Sequence, residues 1–421
     1  MGVGGLAPVR LGGARMTVAK SQAPVLLSRK RFEKLLILLV YIWVAEIGLY
    51  PIDSQMSLEI IKPFEQPIRY AGFLACSLLF TLNWRQATSS IRWEDKAFLG
   101  IWCLVAISTL INWRTSSLTF LPMMLAFLCA CMTIRSLSFD GVAFIARLMR
   151  WTLYGSIMVS LLLPQYGLMA GDHLGRWRGL FLHKNQLGAF AAYFFILALF
   201  LPGYAHPARR ALDVALAALV LVNAESSTAL GAVLIALPVC LLVAARGRLP
   251  TIILSLLTIF IASLGIFFIT HSEEGIFGLL GRDATFSGRT LIWNFFMPLV
   301  MQRPWLGWGY GSTVIYGDYV AVAQATIWSN LRSTHNGYIT IALAGGIGSL
   351  AIFVTTILRK LLREVWSRFG RTETLGIIII YSVSNFVEAW FGFSVCLALL
   401  LLLIIGSPRV ANSGLSGSYG G

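Results

Sequence analysis

An all-α polytopic membrane protein is the fold class this chain predicts, and three observations carry it. Of its 421 residues 57% are hydrophobic and only 12% charged, where a soluble domain carries roughly 25% charged residues. Apolar segments of about spanning length recur along the chain, far too long for barrel strands; lipid offers backbone polar groups no partner but one another, so each reads as a helix. Most of the 33 Lys and Arg fall in alternate connections, the bias that orients helical membrane proteins. The formal net charge of +15 is therefore mainly topological and implies no nucleic-acid partner. All six cysteines (Cys76, Cys103, Cys129, Cys131, Cys240, Cys396) lie inside apolar segments with no zinc-like spacing. They read as buried thiols, without a disulfide framework or metal site.

Taken in order, residues 1–32 are rich in Gly, Ala and basic residues and read as a disordered cytoplasmic tail. No small-residue cleavage site follows the first apolar run near Tyr50 and Pro51, so that run is an uncleaved span. About twelve membrane helices are expected. Nine occupy 33–270, near 33–50, 68–84, 96–112, 117–134, 151–170, 186–202, 211–223, 229–245 and 250–270. Three occupy 336–406, near 336–358, 373–387 and 389–406, and 407–421 forms a second cytoplasmic tail. Between them, 271–335 is one long outer-face loop with amphipathic helices. With the N-terminus inside, loop 171–185, turn 223–228 and loop 271–335 all lie on the outer face. No ATP or nucleotide sugar is available there, so an enzyme on that face needs a substrate that arrives already activated.

Four stretches could carry chemistry. In GDHLGRWRGLFLHKNQ, Arg176, Arg178, His183 and Lys184 crowd together on the side where positive charge is disfavoured. Interfacial anchoring is the bland explanation; a cationic pocket for a diphosphate headgroup is the functional one, since guanidinium forks match phosphate oxygens. Gly179 would let backbone approach closely. In SGRTLIWNFFMPLV, Ser287 and the spacing Leu291, Ile292, Phe295, Phe296, Leu299 predict a capped helix on the membrane surface, bent or ended at Pro298. Arg289 then stands in its first turn, where the helix dipole favours an acid; the mismatch points to function. Gly307, Gly309 and Gly311 follow no strand and lack the next glycine of a dinucleotide fingerprint, so they read as a tight turn.

The fourth stretch is STHNGYITIALAGGIG. His335 and Asn336 open a membrane helix at its outer end, and an imidazole, with an ordinary pKa of ~6.5, suits a general base there. An N-terminal cap or interfacial histidine is the bland alternative. Gly345, Gly346 and Gly348 fit close helix packing. Secondary candidates are Asn185 beside Lys184, and Glu225 in the outer turn NAESST. Glu46 and Glu388, near the outer ends of their helices, join them because acids at membrane depth are expensive.

RGLFLHKNQLG, then SGRTLIW followed by RPWLGWGYGS, then THNGYITIALAGGIG, in this order, resemble the O-antigen ligase and polysaccharide polymerase superfamily. The HKNQLG wording is most similar to exopolysaccharide polymerases of the ExoQ type. The resemblance implies an inner-membrane glycosyltransferase facing the periplasm, with undecaprenyl-diphosphate-linked oligosaccharide as donor, a hydroxyl of the growing glycan as acceptor, and no metal or other cofactor. It implies that Arg178 and Arg289 hold the diphosphate, helped by Arg176, His183 and Lys184, and that His335 deprotonates the acceptor. Membrane lipids, a flippase and a chain-length regulator are the implied partners. The chain departs from the pattern at Glu225–Thr228, where many ligases carry an Arg. That leans toward the polymerase branch, with Arg176 or Lys184 compensating. A ligase delivering finished glycan to lipid A core or protein is the near alternative. A flippase of the same lipid-linked glycan is the distant one, and it should show internal repeats and charges near the midplane.

Overall fold

The computed structural model describes residues 22–46, 54–137, 140–245, 289–327, 331, 333–366, 371–388 and 396–405. Among these the protein is all helical apart from one antiparallel bridge, Leu168 to Trp177. In chain order the α-helices are α1 Gln22–Ala45, α2 Ser54–Ser89, α3 Trp93–Ile111, α4 Phe120–Ser136, α5 Gly141–Leu162, the single turn α6 Pro164–Gly167, α7 Lys184–Phe200, α8 Pro207–Ala224 and α9 Ser227–Ala245. Then come α10 Arg289–Gln302, α11 Val320–Thr326, α12 Gly337–Trp366, α13 Thr372–Val387 and α14 Leu397–Ile404. Helices α5, α9 and α12 are long and apolar enough to cross a membrane, and α4, α7 and α13 are shorter apolar helices.

Helix α2 lies between α1 and α4, α3 packs on α12, and α13 sits among α7, α9 and α12. One apolar core runs through them, with Phe127, Phe194, Phe353 and Tyr381 wholly buried. Leu110, Trp113, Leu161, Leu162 and Val222 are exposed, as expected of side chains whose solvent is lipid.

Three boundaries differ from the sequence expectation, each for a physical reason. Helix α1 begins at Gln22, well inside the expected tail, and α2 already begins at Ser54. The span expected at 151–170 is α5, Gly141–Leu162. Hydropathy placed it too late because Arg147 and Arg150 read as loop. Arg150 is instead buried in the helix, its Nε 2.9 Å from Asp213 Oδ2 and 3.0 Å from the Tyr204 hydroxyl. A paired, hydrogen-bonded charge is tolerated where a lone one is not. Residues 163–170 then turn at Pro164. The expected span 250–270, Ser287 and most of loop 271–335 before α10 lie outside the described residues, as do 389–395 of the last span.

Two polar clusters occupy opposite ends of the bundle. At one, Arg135 of α4 pairs with Asp95 of α3 and donates to the Leu403 carbonyl at 3.4 Å. Lys360 of α12 donates to the carbonyls of Leu402 and Ile405, and Arg363 bridges Glu94 and Glu364. Cations on the last carbonyls of α14 satisfy the acceptors a helix end leaves over. His335 stands at the start of α12, roughly 35 Å from Lys360 along a helix rising 1.5 Å per residue.

The segment after α10 is stitched into α12. Pro298 does not end α10, which runs on to Gln302. Gly307, Gly309 and Gly311 all have positive φ, confirming a tight turn. Trp308 N donates to Leu343 O at 2.6 Å, and Ile347 N to Pro304 O at 2.7 Å. Helix α12 accommodates this at Gly346, with φ 77° and ψ 177°, a region only glycine readily occupies. Gly346 therefore admits a loop, while a Cβ on Gly345 would stand 2.8 Å from Val105 of α3, the close helix packing expected. Across the same turn, Ser117 N donates to Tyr310 O at 2.8 Å and Tyr310 stacks on Phe120 at 3.4 Å. Replacing Gly346 by Ala would add a Cβ against the Trp305 carbonyl and force a strained φ, together about 1–3 kcal/mol or more. Gly348→Ala meets only Leu104 Cδ1 at 3.6 Å. Thermal unfolding in detergent should show Gly346→Ala clearly lowered and Gly348→Ala close to wild type.

Candidate functional site

The other end of the bundle gathers the ends of α1, α8 and α13, the starts of α7 and α12, and α10. Its centre is a carboxylate. Glu388, the C-cap of α13, donates its own N–H to Ser384 O at 2.8 Å, and its carbonyl accepts from Gly337 N, the first residue of α12, at 3.1 Å. Its side chain receives three groups. Arg289 Nη2 stands 2.6 Å from Oε1, Asn185 Nδ2 3.2 Å from Oε1, and His335 Nδ1 3.4 Å from Oε2. These come from α10, α7 and the turn before α12. The acid that the first turn of α10 lacks in sequence is thus supplied from across the site.

Local structure holds each group in place. Asn336 is buried, and its Oδ1 accepts from Tyr338 N and Ile339 N at 2.9 and 3.1 Å, so this residue caps α12 rather than His335. Its amide donates to Phe386 O at 3.0 Å, tying the cap to α13. His335, pushed out ahead of the cap, sits at φ 46°. Trp293 packs edge-on to Phe386 at 5.1 Å, anchoring α10 to the same corner.

The cationic loop forms a second cluster beside the first. Arg176 Nε is 2.8 Å from Glu225 Oε2, and its Nη1 is 3.0 Å from His173 Nδ1. Lys184 Nζ donates to the Glu225 carbonyl at 2.8 Å. Glu225 closes α8 in the left-handed conformation at φ 46°. Arg176 and Lys184 thus meet at the turn where the sequence carries an acid. Arg178 and Lys184 are only 3% and 4% exposed, and Arg178 Nε donates to Tyr166 O at 3.0 Å. Both brace the loop from beneath, while Arg176 and Arg289 keep part of their surface open. The close approach at Gly179 is to Ser156 of α5.

His183 and Asn185 link the clusters. His183 is the N-cap of α7; its Nδ1 accepts from Asn185 N at 3.2 Å, and Gln186 Oε1 accepts from His183 N at 3.3 Å, a capping box. Burial and the neighbouring His173, whose ring lies 5.5 Å away, lower its pKa to about 4, so the ring is neutral and free to accept. Glu46, at the end of α1 with φ 51°, accepts from Gln186 Nε2 at 3.1 Å. Glu46, Glu225 and His335 are the non-glycine residues of positive φ among the described residues, and all three lie here. Such strain persists where surroundings enforce it, commonly at functional sites.

Residues 212–354 match a family model described as O-antigen ligase. Over that third of its length the chain is similar to the O-antigen ligase family. No curated protein and no solved structure matches it. The matched domain runs from α8 into α12 and so contains Glu225, Arg289, His335 and Asn336, while Glu388 and loop 171–183 lie outside it. The matched family is one of glycosyl-transfer enzymes, and the long apolar helices mark a membrane protein.

The His183 cap carries a pH signature. Its folded pKa lies below the ordinary value of ~6.5, so as pH falls the unfolded chain takes up the proton first. The stabilisation is full above about pH 6.5 and is lost as pH drops toward about 4. His183→Asn keeps an N-cap acceptor without titrating. Unfolding temperatures of the detergent-solubilised protein across that window should fall for wild type and fall less for the variant.

Proposed function

We propose that this protein is a polymerase of exopolysaccharide or O-antigen type, joining undecaprenyl-diphosphate-linked oligosaccharide repeats on the periplasmic face of the inner membrane. The observation that carries the reading is the convergence of Arg289, His335 and Asn185 on the Glu388 carboxylate. Glycosyl transfer from a lipid diphosphate needs one base at the incoming hydroxyl and positive charge where the leaving group gains its negative charge. A base and a cation held by one carboxylate meet both needs in one place.

In this mechanism the His335 Nδ1–H donates to Glu388, leaving Nε2 to take the proton of the acceptor hydroxyl. The alkoxide oxygen bonds to the anomeric carbon of the donor as the bond from that carbon to the diphosphate oxygen breaks. The lipid diphosphate leaves with the bonding electrons, and Arg289 and Arg176 offset its charge. Glu388 orients the imidazole and stabilises it once protonated. Arg178 and Lys184 contribute from below by fixing the loop that carries Arg176. Asn185 holds the carboxylate, and Asn336 fixes the helix start behind His335. A flippase that delivers the donor and a chain-length regulator are the partners this reading expects.

The experiment is polymer output in cells carrying His335→Ala, Arg289→Ala or Glu388→Gln, with membrane levels of the protein measured alongside. The base and cation variants should lose polymer by about 100-fold or more, with single lipid-linked repeats accumulating. Glu388→Gln keeps shape but not charge and should lose at least about tenfold. Normal polymer in the His335 and Arg289 variants would overturn the assignment. Single repeats on a different acceptor in wild type, lost in the variants, would make it a ligase.

A further inference from the structure

Among the described residues, two arginine–carboxylate pairs stand at this end of the bundle, and they differ in how readily they part. The Arg289 and Glu388 side chains are 18% and 15% exposed, and the carboxylate also holds Asn185 and His335. Those of Arg176 and Glu225 are 26% and 56% exposed, joined from Nε to Oε2 at 2.8 Å. An open pair of this kind contributes little and parts cheaply. Breaking the withdrawn pair is the costlier step.

Glu225 also stands where a purely structural role would not put it. It closes α8 at φ 46°, a conformation that favours Gly or Asn. The last carbonyls of a helix attract a base and repel an acid. Nor does the local backbone lean on its charge. Lys184 grips the Glu225 carbonyl, not the carboxylate, at 2.8 Å. The backbone at Arg176 is fixed from other sides: its carbonyl accepts from Met169 N at 2.8 Å, and its N–H donates to His173 O at 3.2 Å. What the carboxylate does is hold the Arg176 guanidinium, which His173 Nδ1 meets from the other side at 3.0 Å.

In the proposed reaction that guanidinium has a second anion to meet. The donor arrives as a diphosphate esterified at both ends. Once its bond to the sugar breaks, the lipid diphosphate carries one more negative charge and holds an arginine harder. Its departure would strand a partly buried guanidinium unless another anion took its place. Resting on the glycosyl-transfer reading above, we propose that Glu225 is the displaceable counter-ion of Arg176. It yields the guanidinium to the donor diphosphate and takes it back as the lipid diphosphate leaves, so it sets product release. No covalent bond to Glu225 forms or breaks; one ion pair is exchanged for another.

Glu225→Gln keeps the side-chain shape and removes the charge. With the full-length protein in detergent and undecaprenyl diphosphate as the probe, this variant should bind about fivefold tighter than wild type. In membrane vesicles making polymer from the native lipid-linked glycan, added undecaprenyl diphosphate should inhibit it at about one fifth of the wild-type concentration. Glu225→Asn, which suits the left-handed backbone, should behave alike and guards against a folding defect in the first variant. In an Arg176→Gln background, Glu225→Gln should lose most of its effect. Persistence of the full effect there would mean that the acid simply repels the diphosphate, and would overturn the counter-ion role. Equal or weaker binding by the folded Glu225 variants would overturn it as well. Wild-type protein that binds no undecaprenyl diphosphate at all would instead overturn the function proposed above.

Discussion

The Glu388 carboxylate is the constraint on which one polar end of the bundle depends. It ends α13, its backbone accepts the first N–H of α12, and its side chain gathers groups from α7, α10 and the turn carrying His335. Its side chain is 15% exposed and that of Arg289 18%, so the pair is largely withdrawn from water, where charges interact more strongly than at an open surface. The same withdrawal makes the parts interdependent. Deleting the acid would leave a guanidinium, an amide and an imidazole without their common partner, and unpaired polar groups cost more than paired ones return.

The two polar ends of the bundle show how similar ingredients serve different ends. The cluster of Arg135, Asp95, Lys360, Arg363 and Glu94 closes on helix carbonyls and on itself. Its backbone is ordinary. The Glu388 end instead holds Glu46, Glu225 and His335 in left-handed backbone, at an energetic cost that packing elsewhere must offset. Strain confined to the polar residues of one end is what a site preorganised for binding would display, and it recurs at each of the three helix junctions that border the cluster.

Much of the fold was legible because burial in lipid and burial in protein select the same residues, so apolar length alone located α3, α4, α7, α8, α9, α12 and α13 closely. It failed at α5, where Arg150 is hidden by Asp213, since hydropathy weighs a side chain without its partner. Gly345 was legible as a close helix approach, met by Val105 of α3, whereas composition could not show that Gly346 admits the 303–308 turn. In the site, the motifs named the elements that converge and could not give direction. Charge on Arg178 and Lys184 looked like charge on Arg176, although the first two turn inward. Glu388 had the weakest signal: an acid at a helix end becomes informative only once three groups meet it.

The turn at Glu225 shows how the proposed chemistry tolerates a departure from the ligase pattern. Where many ligases carry an arginine, this chain places an acid that draws Arg176 to it at 2.8 Å and receives Lys184 on its carbonyl. Positive charge therefore reaches the same turn from a neighbouring loop. That loop is held independently of the ion pair: Trp177 N donates to Asn223 O, two residues before Glu225, at 3.0 Å, and Arg178 N to Gly167 O at 2.8 Å. The guanidinium is thus delivered on a braced backbone and only its last bonds end at Glu225. A diphosphate arriving at Arg176 competes with one carboxylate on a half-open surface, while the loop beneath stays fixed by Arg178 and Lys184. Under the proposed function, this arrangement lets the cation change partners during a catalytic cycle without rebuilding the site.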